Sequence, residues 1–282
     1  MIIDFHTHIF PPRVAEERAH YLKHDPCFAA LYTNPKAKLA TAEELIASMN
    51  RHHVDMAVAL NIGWSSLELC IETNDYILGA AARYPDRLIA FCTVPPATGE
   101  AAAAEIDRCA RAGARGIGEL RPDVQRFDLG DAETLRPLAE AARQHHLIIL
   151  THASEPVGHL YPGKGNITPD HLYRFIVNFP ELHIVCAHWG GGLPFYALMP
   201  EVAQALGRTY FDSAATPFLY RPEVFGHVAA IVGAEHILFG TDYPLLGQAR
   251  VIDSVRSLGL PPEVEAMILG DNAERLLAQA GQ

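Results

Sequence analysis

The feature that most constrains this chain is an alternation repeated eight times: a short β-rich run, then a longer stretch rich in Ala, Leu, Glu and Arg. The runs at 2–5, 56–61, 88–94, 114–120, 147–151, 183–187, 209–212 and 237–240 read as strands. They are almost continuously apolar, as strands covered on both faces must be. Between them, segments 41–53, 67–84, 100–112, 131–145, 169–178 and 221–232 carry apolar residues at helical spacing. Such alternation builds parallel βαβ units. Eight units in 282 residues suit a closed barrel, which takes roughly 250. An open doubly wound sheet is the competing arrangement, but it usually announces itself by G-x-G-x-x-G after its first strand. Here that strand ends in His-Thr-His. The expected fold is therefore α/β, a (β/α)8 TIM barrel forming one domain over residues 1–282.

Local signals refine the outline. Thr41 with Glu44 reads as a capping box, and Thr168 ahead of Asp170 and His171 as a helix N-cap. The connection 11–39 is unusually long, with a Pro-Pro pair and mixed His, Tyr and Phe content. It reads either as a lid over the barrel mouth or as an irregular packing insert.

Composition excludes several partners. A net charge of −11, with no dense Lys/Arg run, argues against a nucleic-acid surface and for a small-molecule substrate. No apolar run reaches about 18 residues, so no membrane contact is expected. With no basic leader ahead of MIIDFHTHIF, the expected location is the cytoplasm. The five cysteines lack a C-x-x-C pair and read as reduced core thiols. The assembly state is open, homodimers being the commonest oligomers.

Chemistry gathers at the strand ends. His6 and His8 lie two apart at the end of the first strand, so both imidazoles point to one side, half of a zinc site. Glu119 closes the fourth strand, His152 the fifth, His188 the sixth and Asp242 the eighth. Active sites of such barrels form at this C-terminal rim. The polar, Gly/Pro-rich loop after His152 offers His159, Tyr161 and Lys164 to grip an anionic group, with Arg121 and Arg221 at the same rim. Trp189 is a candidate pocket wall. Asp4 and Asp212 are candidates to orient the ligands.

The motifs DFHTH (4–8), GIGEL (116–120), LTHAS (150–154), CAHWGG (186–191) and FGTDYP (239–244) follow one another in order. With them the chain resembles the amidohydrolase superfamily, in the branch of metal-dependent barrel hydrolases that includes aminocarboxymuconate semialdehyde decarboxylase. The resemblance implies that His6, His8 and His152 bind metal, and that Asp242 both touches the metal and accepts a proton. It implies that His188 is a further ligand or an acid/base. Glu119 would bridge a second ion, contact a single one, or merely orient a ligand. The implied cofactor is a divalent metal: zinc suits histidine-rich ligation, with manganese, iron or cobalt as alternatives.

A metal held by imidazoles lowers the pKa of its water to about 7. The first expectation is accordingly a hydrolase cleaving an amide, lactone or similar bond of a small, carboxylated molecule. The alternative is non-oxidative decarboxylation of an aromatic or unsaturated acid, which an arginine near the metal would favour. A barrel that binds metal or ligand without catalysis is the third reading, against which Asp242 and His188 speak.

Overall fold

The structure, a computed structural model, describes residues 1–280. Eight parallel strands lie side by side in chain order: β1 (Ile3–His8), β2 (Met56–Leu60), β3 (Leu88–Cys92), β4 (Gly116–Leu120), β5 (Ile148–Thr151), β6 (Ile184–Cys186), β7 (Thr209–Asp212) and β8 (Ile237–Leu238). The barrel closes where the chain after β8 returns to β1: Phe5 N donates to Phe239 O at 2.8 Å, Asp242 N to His6 O at 2.9 Å and His8 N to Tyr243 O at 2.7 Å. β8 is shorter than the apolar run suggested because Phe239 N turns away to bond Ile268 O.

The expected helices form between the strands: α4 (Ala42–His52), α5 (Leu67–Arg83) and α6 (Glu100–Arg111), and then Ala132–Gln144, Pro169–Asn178 and Val224–Val232. The capping box at Thr41 and Glu44 is present in both directions. Thr168 precedes the helix Pro169–Asn178, but its hydroxyl engages Asp170 and His171 rather than the helix backbone. The inner core is filled by side chains such as Phe5, Leu60, Phe91, Leu150 and Leu238, and helix Asn272–Gln279 closes its floor with Ala273 and Leu276. A separate apolar layer lies between the strands and the helices.

Segment 11–39 is folded rather than irregular. It forms α1 (Pro12–Glu16), α2 (Arg18–His24) and α3 (Pro26–Tyr32) over an aromatic cluster of its own, in which Phe28 stacks on Trp64 at 5.4 Å. Asp25, buried, caps α3 through Phe28 N and uses its other oxygen on Ser65 N and Oγ, each at 2.7 Å. The insert is thus fastened to the loop after β2, beside the barrel mouth. All five cysteines are buried and free. Among the described residues no helix is long and apolar enough to cross a membrane.

Candidate metal centre

In β1, Ile3 and Phe5 belong to the inner core, so a strict period of two would send Thr7, not His6, into the barrel. The pairing of β1 with β2 shifts register between Asp4 and Thr7. The shift reverses the phase, and His6 and His8 both face the centre, their Nε2 atoms 3.1 Å apart. β4 has the same device. Its register with β5 shifts between Ile117 and Leu120, and Glu119 turns inward. Irregularities of this kind re-aim side chains next to active sites.

Three of the four imidazoles are oriented by a partner on the nitrogen turned away from the centre. His6 Nδ1 lies 2.8 Å from Asp212 Oδ2, His188 Nδ1 3.2 Å from Ala214 O, and His152 Nε2 3.1 Å from Lys164 O. With those N–H groups donated outward, the remaining lone pairs face one another and the carboxylates. His152 Nδ1 is 2.9 Å and His188 Nε2 3.6 Å from Glu119 Oε1. His8 Nε2 is 3.3 Å from Asp242 Oδ1 and 3.9 Å from Glu119 Oε2. Two triplets of donor atoms, His6–His8–Glu119 and Glu119–His152–His188, each converge within 4.8 Å. His8 Nδ1 is buried with no partner among the described residues.

Acceptors facing acceptors in a buried site require a cation between them, and nitrogen with carboxylate oxygen is a donor set that fits a divalent ion. The electrostatics agree. Burial disfavours charge on His6, but Asp212, Asp242 and Glu119 outweigh it and carry its pKa up to about 10. Burial would raise the Glu119 and Asp242 carboxyls, yet the surrounding imidazoles hold both low. His152 is pushed down by burial first and then by Arg121, which favours its neutral form. Asp4 serves the scaffold: it accepts from Thr241 N and Oγ1 and from Gln248 Nε2, tying β1 to the segment that carries Asp242. Asp242 itself has φ 64°, a strained backbone for a non-glycine residue.

Above the centre opens a cavity of about 860 Å³ lined by His8, Glu119, Arg121, His152, His188 and Asp242, together with His159 and Tyr161. Arg121 is 2% exposed. Gly63 makes room for it, since a Cβ there would sit 2.4 Å from Arg121 Cβ. Three expected contacts, those of Trp189, Lys164 and Arg221, need correction. Trp189 does not wall the cavity. The backbone runs left-handed through His188 and Trp189 (φ 55° and 59°), so the imidazole points in while the indole points out, packing on Phe225 and donating to Thr216 Oγ1 at 2.8 Å. Lys164 spends its ammonium on Val157 O and His159 O of its own loop. Tyr161 does line the cavity, and its hydroxyl donates to Glu155 Oε2. Arg221 is not among the lining residues.

The sequence reading raised the insert as a lid over the mouth but named none of its lining residues, notably Tyr32, Lys36 and Lys38. The only signal was the aromatic content of 11–39. Tyr32, buried and facing Asp242 and Glu119, has its phenol pushed well up by burial first and by those carboxylates.

Comparison with known proteins bears on these findings. The amidohydrolase family model matches residues 3–279. Gamma-resorcylate decarboxylase from Rhizobium radiobacter is 24% identical over 282 aligned residues, covering 85% of this chain and 84% of that one. Among solved structures, 5-carboxyvanillate decarboxylase from Sphingomonas paucimobilis superposes with a TM-score of 0.80 at 19% identity, covering 98% of each chain. Dihydroxybenzoic acid decarboxylase from Polaromonas sp. JS666, with bound manganese and the inhibitor 2-nitroresorcinol, gives 0.76 at 18% identity, covering 98% of this chain and 96% of that one. The expectation of a hydrolase is corrected by these relatives: the similar proteins are named as decarboxylases, in line with the alternative raised from the sequence. Matched from its first strand to its last helix, this chain belongs to the amidohydrolase family, as an enzyme of the amidohydrolase superfamily.

Proposed function

We propose that this enzyme is a metal-dependent decarboxylase that removes carbon dioxide, without oxidation, from a hydroxy-aromatic carboxylic acid. The observation that carries the reading is the buried guanidinium of Arg121 in the same cavity as the acceptor-only centre. A group held there next to a cation site binds and orients a carboxylate. Its Nη2 donates to Gly163 O at 2.9 Å, and Nη2 and Nε lie 3.3 and 3.4 Å from Asp123. Nη1 makes none of these contacts and is the nitrogen left for substrate. The decarboxylases named among the relatives support the same chemistry.

His6, His8, Glu119, His152 and His188 would hold the divalent metal, with Asp242 at its edge; Glu119 belongs to both donor triplets and joins them into one centre. When bound, that ion supplies Lewis acidity toward the oxygens of an acid. Manganese is our assignment, from the Polaromonas relative; zinc is the competitor to test. Asp242 is the residue placed to move a proton. Its side chain is 18% exposed toward the cavity, against at most 8% for the four histidines and Glu119 whose contacts define the centre. At rest Asp242 is ionised, so it first takes the proton of a substrate hydroxyl at an Oδ. It then hands that proton to the ring carbon as the bond to the carboxylate breaks. The bonding electrons stay on that carbon, and neutral carbon dioxide departs. His188, with Nδ1 committed to Ala214 O, holds rather than moves a proton.

The test is carbon dioxide release from 2,6-dihydroxybenzoate and 5-carboxyvanillate by manganese-loaded protein, with metal content measured alongside. Expected are carbon dioxide and the matching phenol in equal amounts. Asp242→Asn should retain metal and lose about 10²–10⁴-fold in kcat. No carbon dioxide from either acid, at one ion per chain, overturns the reading.

A further inference from the structure

The cavity is much larger than a one-ring substrate needs. Its volume is about 860 Å³, whereas a void of about 150 Å³ accommodates benzene, and a carboxylate and hydroxyls add only a few atoms. Glu119, Arg121 and Asp242 bring charge to the metal end, and Lys36 and Lys38 of the insert line the cavity as well. Much of the remaining wall is apolar, with Ala29, Ala30 and Leu31 of the insert on one side and Phe218, Leu219 and Leu245, which follow β7 and β8, on the other. Phe218 is 47% and Leu245 58% exposed at the mouth, with the Arg250 guanidinium 5.0 Å from the Phe218 ring centroid. Rimmed apolar surface of this kind marks a ligand contact.

The insert wall is built rather than slack. Arg18 donates from Nε and Nη2 to Tyr32 O, from Nη2 to Asn34 O and from Nη1 to Ala37 O, pinning the backbone just after Leu31. Phe28, one turn before Tyr32, is stacked on Trp64. Cavity space beside a pinned wall is space for a ligand group.

We infer that the substrate carries an apolar extension, alkyl or aryl, on the side of its ring away from the reacting carboxylate. This extension lies between Ala29, Ala30 and Leu31 on one wall and Phe218, Leu219 and Leu245 on the other. The inference rests on the decarboxylase reading for the identity of the reacting end. Each methylene fully buried strengthens binding about fourfold, and at a half-open mouth the gain per methylene is smaller.

The test uses metal-loaded protein and 2-hydroxybenzoates carrying hydrogen, ethyl or butyl at position 4. Dissociation constants come from calorimetry and carbon dioxide from a separate assay. The butyl acid should bind at least tenfold more tightly than the unsubstituted one. In Ala30→Trp, which fills the space, and in Phe218→Ala, which removes one wall, that ratio should fall to about two. Ala30 and Phe218 are both solvent-facing, and the ratio is taken within each protein, so a change in overall fold does not imitate the result. Affinity that is flat or falls with chain length overturns the inference, even where the unsubstituted acid still releases carbon dioxide. Affinity that rises with chain length while no acid releases carbon dioxide upholds the extension site and overturns the decarboxylase reading instead.

Discussion

One carboxyl group, that of Asp212, orients two imidazoles. Its Oδ2 meets His6 Nδ1 at 2.8 Å, and its Oδ1 accepts from the backbone N of His188 at 2.9 Å and of Ala214 at 3.0 Å. Ala214 in turn supplies the carbonyl that fixes His188 Nδ1. Removing such a partner typically weakens metal binding 10–100-fold. Asp212→Asn is expected to lose metal to a competing chelator at a concentration lower by about that factor, while the circular-dichroism spectrum stays that of the parent. Unchanged retention would show that His6 finds its place without Asp212.

The insert walls one side of the barrel's mouth, and its tip hangs on Arg18. Its guanidinium bonds three carbonyls, those of Tyr32, Asn34 and Ala37. Hydrogen bonds to a charged donor are worth about 1.5–3 kcal/mol each, and partial exposure reduces that. Arg18→Ala should therefore cost about 2 kcal/mol, and the loss should be local. Hydrogen exchange read by mass spectrometry should accelerate in residues 32–38 and leave β1 and β5 protected. Acceleration throughout the barrel would mean that the insert is part of the main cooperative unit. Helix propensity did not announce α1 to α3, because each is at most 7 residues long and is held by the aromatic cluster beneath it. The strands, by contrast, were legible as apolar runs, and α4 as a capping box followed by an amphipathic face.

At the scale of the whole molecule, the centre joins opposite sides of the barrel. Its groups come from the ends of β1, β4, β5 and β6 and from the segment after β8, so the ion that fits them would link strands distant in sequence. A ligand at a thousand times its dissociation constant stabilises by about 4 kcal/mol, which for a chain this long corresponds to a Tm shift of roughly 10 °C. Chelation is expected to lower Tm by about that much, and added manganese to restore it. Stripped protein should also respond to pH. His6, raised to about 10 by its carboxylate neighbours against burial, contributes stability that is full below its unfolded value of about 6.5 and is lost as pH rises toward 10. A Tm of stripped protein that is flat between pH 6.5 and 10 would refute this account.

Taken alone, the sequence determined the strand order, the parallel barrel and the rim on which His6, His8, Glu119, His152, His188 and Asp242 meet. These follow from local pattern: continuous apolar runs, helical spacing between them, and polar residues placed where strands end. Tertiary structure alone decided the rest. The register shifts that turn His6 and Glu119 inward depend on hydrogen bonds to neighbouring strands, which no single strand's periodicity encodes. The left-handed turn that sends Trp189 outward, the capture of the Lys164 ammonium by its own loop, and the insert wall around Tyr32 each require partners distant in sequence or a backbone geometry without a sequence signature. Strand patterns are local properties of the chain, whereas the direction of a side chain at the rim is set by what packs against it.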